Sequence, residues 1–79
     1  MTHTPHELAE EFPAEAGKIQ ALKAPDAHFA KLADEYHTVN RAVHRAETRI
    51  DLITEEDEEA LRRRRAHLKD HIWQHLKQA

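Results

Sequence analysis

The sequence has no cysteine and no serine, a single glycine, and only four aromatic side chains: one Trp, one Tyr and two Phe. Without cysteine there is no disulfide, no thiolate ligand and no Cys nucleophile, a usage that suits a reducing cytosol. Without serine there is no Ser nucleophile, and one glycine cannot build the loop that cradles a phosphate. No stretch approaches the ~18 apolar residues of a membrane span. The opening MTHTPHELAEEF has neither the basic region nor the apolar core of a signal peptide. Positive charge is also short: the net charge is −3, which argues against general affinity for nucleic acid.

What remains is 79 residues, 34% of them charged, a composition that suits long helices in one small domain. Between Asp26 and Asp51, Phe29, Leu32, Tyr36, Val39, Val43, Ala46 and Ile50 follow one another at alternating spacings of 3 and 4. This is a heptad seam, the pattern with which one helix lies along another. No Gly or Pro interrupts it, so it predicts a helix over residues 26–51, roughly 39 Å long. Pro25 ends whatever precedes it, and Asp26 is a natural N-cap.

A second long helix is expected over residues 55–77. Thr54 is its N-cap, acids fill its first turn, and its apolar line is Leu61, Leu68, Ile72 and Leu76. A connection of about two to four residues makes the two helices antiparallel neighbours. Upstream, Leu8, Phe12, Ala16, Ile19 and Leu22 share one helical face. Pro13 is tolerated only in a first turn, which predicts a short helix over residues 13–23 and a turn or short helix over 5–11. The expected fold is therefore all-α: a short N-terminal helix, then a long antiparallel helical hairpin resembling a coiled coil. A lone two-helix hairpin buries too little to offset the entropy of ordering it. Either the N-terminal segment packs on it as a third element, or hairpins associate, or both. The apolar residues beyond the seam, Leu52, Ile53, Trp73 and the Leu8–Phe12–Ile19 stripe, favour an even-numbered homo-oligomer.

Three groups of residues invite a chemical reading. The run Arg62–Arg65 suggests nucleic acid, but the four side chains spread around the helix, and Glu58 and Glu59 stand one turn before Arg62 and Arg63 for i,i+4 pairing. Arg65 projects toward the seam, where Glu47 is placed to pair with it and fix register. His67, His71 and His75 recur every four residues. Neighbours at that spacing can share a metal, yet the three do not converge and no H-E-x-x-H pattern occurs. Protonating several of the chain's eight histidines turns its −3 charge positive near pH 5–6, so self-association should respond there. Trp73 lies about 120° from the Leu61–Leu68–Ile72 line. It is either a half-exposed cover for the N-terminal segment or an anchor in an interface. The carboxylates Asp34, Glu35 and Glu55–Glu59 sit on exposed faces without a pocket behind them. Helices of this size do not easily enclose a cavity of several hundred cubic ångströms (~300 or more). No catalytic, cofactor-binding or metal residue is assigned, and an enzyme is not expected.

Six segments carry a family resemblance: His6-Glu7-Leu8 through Phe12-Pro13, Leu22-Lys23-Ala24, Asp26-Ala27-His28-Phe29, Asp34-Glu35-Tyr36-His37, His44-Arg45 and Leu68-Lys69-Asp70. In these the chain resembles the YdcH-like family of small bacterial proteins, a domain of unknown function. His71 stands where the family pattern has an acid, and Trp73 where Tyr is more usual. The resemblance implies a cytoplasmic helical hairpin that self-associates, and it supplies no activity, cofactor or catalytic residue. The expected role is an interaction module or adaptor that acts as a homo-oligomer on an unknown protein partner, with no membrane and no small-molecule substrate. The alternatives are a nucleic-acid-associated regulator using Arg62–Arg65 and a His-based metal-responsive protein.

Overall fold

Two caps and one seam set the architecture. The computed structural model describes residues 4–78, and every regular element among them is helical. In chain order these are α1 (Leu8–Glu11), a 3₁₀ turn (Pro13–Glu15), α2 (Ala16–Lys23), α3 (Ala27–Glu47) and α4 (Glu55–Gln78). Pro13 opens the 3₁₀ turn, where its missing N–H costs nothing, so the expected first helical turn is 3₁₀ and α-geometry begins at Ala16. The backbone N–H of Phe29 donates to Asp26 Oδ1 at 3.0 Å, the expected cap of α3. At α4 the N–H of Asp57 donates to Thr54 Oγ1 at 3.1 Å.

α3 and α4 run antiparallel: His75 near the end of α4 packs against His28 at the start of α3, while Arg62, nearer the start of α4, bonds Glu47 at the end of α3. Phe29, Leu32, Tyr36, Val43 and Ala46 of α3 are buried, as are Leu68, Ile72 and Leu76 of α4. Leu61 is only partly covered. The N-terminal segment supplies the third element: Leu8 and Ile19 join the same core, and Phe12 and Leu22 pack on its edge. The stripe that favoured association between hairpins is thus covered within the chain. Lys18 Nζ completes this docking by donating to the carbonyl of Leu76 at 2.7 Å, one of the carbonyls α4 leaves free at its end.

The long helix is shorter than the heptad pattern predicts, ending at Glu47 rather than Asp51. Thr48 Oγ1 donates to the His44 carbonyl at 2.8 Å, and Arg49 turns to a positive φ of 63°. The N–H of Ile50 then bonds to Arg45 O at 2.9 Å, and that of Arg49 to Ala46 O at 3.2 Å. This is the Schellman closure, with Arg where Gly is usual. Ile50 consequently leaves the seam and is 68% exposed. The connection spans residues 48–54, longer than the two to four expected.

Candidate functional site

Chemistry on this fold is concentrated in three places. The first is a polar cluster inside the hairpin. Asn40 occupies a fully buried position on α3, and both ends of its amide are used. Its Nδ2 donates to the carbonyl of Pro5 at 2.9 Å, and its Oδ1 accepts from Arg65 Nη1 at 3.0 Å. One turn earlier, the Tyr36 hydroxyl donates to the carbonyl of His6 at 2.5 Å. His37 Nδ1 lies 2.6 Å from Glu7 Oε2. Burial first, and then the negative charge of Glu11, push the Tyr36 phenol up to about 12. These contacts tie residues 5–7 to α3, and no buried side-chain polar atom among the described residues lacks a partner. The cluster is structural in form: each of its buried side-chain polar atoms already has a partner within the chain.

Arg65 does reach the seam, but its partner is Asn40, and Glu47 bonds instead to Arg62 Nε at 3.1 Å. Arg62 also pairs with Glu58, as the i,i+4 spacing predicts. Its hydrogen bonds to Glu58, then to Glu47, raise the guanidinium further above its ordinary value. Arg64 crosses to Glu35 at 2.9 Å. Among the described residues Glu59 and Arg63 form no ion pair, so the second expected i,i+4 pair is not made.

The second place is the end of α4 nearest the N-terminal segment. Trp73, 39% exposed, stacks on Phe12 with ring centroids 5.5 Å apart and planes within 4°. Lys69 Nζ lies 5.7 Å above the Phe12 ring and bonds Glu11 Oε1 at 2.8 Å. That bond to Lys69 holds the Glu11 carboxyl below its ordinary range. An open groove of about 310 Å³ lies between Phe12, Pro13, Glu15, Asp70 and Trp73. Trp73 therefore does cover the N-terminal segment. Of the three histidines, His75 packs against His28 and Phe29, with Nδ1 4.0 Å from Asp26 Oδ2, while His67 and His71 are exposed, His71 lining a groove with His28 and His75. Among the described residues no three His, Cys, Asp or Glu side chains gather as a metal site.

The third place is the tip of the hairpin. Ile50, Leu52 and Ile53 are 68%, 87% and 38% exposed. The turn holding them is braced by Arg45 Nε to Asp51 Oδ2 at 2.9 Å and by Arg49 to Glu58 at 3.4 Å. Sequence reading put Ile50 in the seam. The signal that separates it, a left-handed residue after Thr48, is hidden because Arg49 is not a glycine.

A protein-family model described as "Protein of unknown function (DUF465)" matches residues 29–76. The chain belongs to this family. YdcH-like proteins are DUF465 proteins, so the resemblance in the sequence holds. The DUF465 match begins at Phe29, two residues into α3, and ends at Leu76 of α4, so it spans the hairpin and its tip. No curated protein and no solved structure matches the chain. Among the described residues, no helix is long and apolar enough to cross a membrane.

Proposed function

We propose that the chain is a small cytoplasmic interaction module, a helical-hairpin adaptor that acts as a homo-oligomer and offers its tip to a protein partner. One observation carries the reading: Ile50, Leu52 and Ile53 stand exposed together at the turn, while the other large apolar side chains of the hairpin, Trp73 apart, are at least partly covered. Large apolar side chains grouped on a surface mark contact sites. Three of them fall well short of the ~800 Å² per partner of a standard interface. The tip thus suits insertion into a partner's apolar pocket, with the Arg45–Asp51 and Arg49–Glu58 pairs at its rim.

A nucleic-acid role for Arg62–Arg65 has less support, because Arg62, Arg64 and Arg65 are already engaged by Glu58, Glu47, Glu35 and Asn40. A metal-responsive role has less support too, because among the described residues no three His, Cys, Asp or Glu side chains gather as a metal site. The test is capture from native cytosol with the tagged chain and with the double variant Ile50→Asp, Leu52→Asp. Both should melt alike, and the wild type should retain proteins that the variant loses. Identical captured sets would remove the tip as a docking site.

A further inference from the structure

Glu56, Arg63, Asp70 and Lys77 follow one another at heptad spacing along α4 and alternate in sign. All four are exposed, and none forms an ion pair among the described residues, although Arg62, Arg64 and Lys69 beside them do. A second row, Glu59, Ala66 and Trp73, runs next to the first at the same spacing and is exposed too. This is the outer face of α4, turned away from the core line of Leu68, Ile72 and Leu76. We infer that two copies of the chain pair through this face, with their α4 helices antiparallel about a two-fold axis beside Ala66 and His67. The inference rests on the self-association reading above and is independent of the tip.

The charge order selects the arrangement. In that register Arg63 meets the partner's Asp70, and Glu56 meets the partner's Lys77, and the two-fold axis makes each contact twice. Sliding one helix by a heptad sets Arg63 against the partner's Arg63 and Glu56 against the partner's Asp70. Sliding it the other way sets Asp70 against the partner's Asp70 and Arg63 against the partner's Lys77. Parallel pairing in register puts every charge against its own copy. Among pairings that use the whole row, only the antiparallel centred one leaves each charge opposite its complement. Charged edges act in this way in coiled coils, where they set partner and orientation.

The face also has the shape for it. From Glu56 to Lys77 it runs roughly 32 Å, and the small side chain of Ala66 beside the two-fold axis lets a second helix approach to about 8–10 Å. The groove beside Phe12 and Asp70 then faces the partner's Arg63. Exposed ion pairs contribute little individually. They fix the register, and Trp73, held in place by its stack on Phe12, supplies the apolar contact.

The experiment is sedimentation equilibrium on the full chain, with helicity followed by circular dichroism. The wild type should be a dimer, and Arg63→Asp or Asp70→Arg alone should weaken it by about tenfold or more, because each homodimer then holds two like-charge contacts. An equimolar mixture of the two variants should associate like the wild type, since every contact in the heterodimer is again opposite in sign. Glu56→Lys mixed with Lys77→Glu repeats the test should either first variant fold poorly. A wild type that stays a folded monomer at about a hundred times micromolar concentration would remove self-association itself. A dimer that ignores the reversals, or variants that do not rescue one another, would keep self-association and move it off this face.

Discussion

Asn40 joins Arg65 to the N-terminal segment: its amide oxygen takes the guanidinium at 3.0 Å, and its amide nitrogen holds the Pro5 carbonyl at 2.9 Å. A single buried side chain therefore fastens three parts of the chain. Asn40→Leu removes both bonds and strands the part-buried Arg65, which should cost about 2–3 kcal/mol. The loss should be largest in the N-terminal segment, read as faster amide hydrogen exchange around Leu8. Exchange there equal to that of the wild type would mean that the Leu8 contacts alone dock the segment.

Val43 and Ile50 belong to one heptad pattern but to different environments. Val43 is fully buried, so Val43→Asp places an unpaired charge in the core and should cost several kcal/mol (roughly 3 or more). Ile50→Asp, on a side chain 68% exposed, should shift stability by no more than about 0.5 kcal/mol. Equal losses in chemical denaturation would return Ile50 to the seam.

The contrast shows which parts of the fold a sequence declares. Asp26 and Thr54 cap helices with their own side chains within three residues, so both were legible as local chemistry. The seam was legible down to Ala46 because its partner is simply another apolar stripe. The helix end was not, since the heptad spacing continues through Ile50 and the left-handed residue is Arg49. Asn40 was invisible for a different reason: its two partners lie 35 and 25 residues away, and only the tertiary fold brings them to it. Of the surface, Trp73 was singled out correctly as a half-exposed aromatic. The apolar tip was not, because its exposure follows from the unread helix end.

Arg49 adopts a φ of 63° with a β-carbon that this region disfavours. Arg49→Gly should therefore stabilise the chain by about 0.5–1 kcal/mol. The lost ion pair to Glu58 offsets little of this, since the Arg49 side chain is 72% exposed. A lower melting temperature in the glycine variant would count against the Schellman closure after Glu47.

Two groups make stability depend on pH with opposite signs. Tyr36 has a folded value of about 12 against an ordinary 10.0, so the folded state holds its proton longer. Its contribution is complete below pH 10 and is lost as pH rises toward 12. Glu11 is held below its ordinary 4.5 by Lys69, so its contribution is complete above that pH and is lost as pH falls through the folded value. Tyr36→Phe should flatten the alkaline limb of a stability–pH profile and leave the acid limb alone. Glu11→Gln should do the reverse. Profiles unchanged by either variant would remove both assignments.

Phe12 and Trp73 separate the two roles of the stacked pair. Either Phe12→Ala or Trp73→Ala abolishes the stack at 5.5 Å, and each should lower stability by about 1 kcal/mol. Only Trp73 stands on the same row of α4 as Ala66, so only its loss strips the pairing face of its large apolar side chain. Trp73→Ala should therefore reduce dimerisation by about tenfold or more while helicity persists. Phe12→Ala should change dimerisation only a few-fold (roughly threefold). Both constants come from the concentration dependence of sedimentation, and the intrachain cost from melts at matched concentration. Equal effects on association would make the stacked pair, not Trp73 alone, the contact. A pure stability loss in both would leave Trp73 as a cover for the N-terminal segment and nothing more.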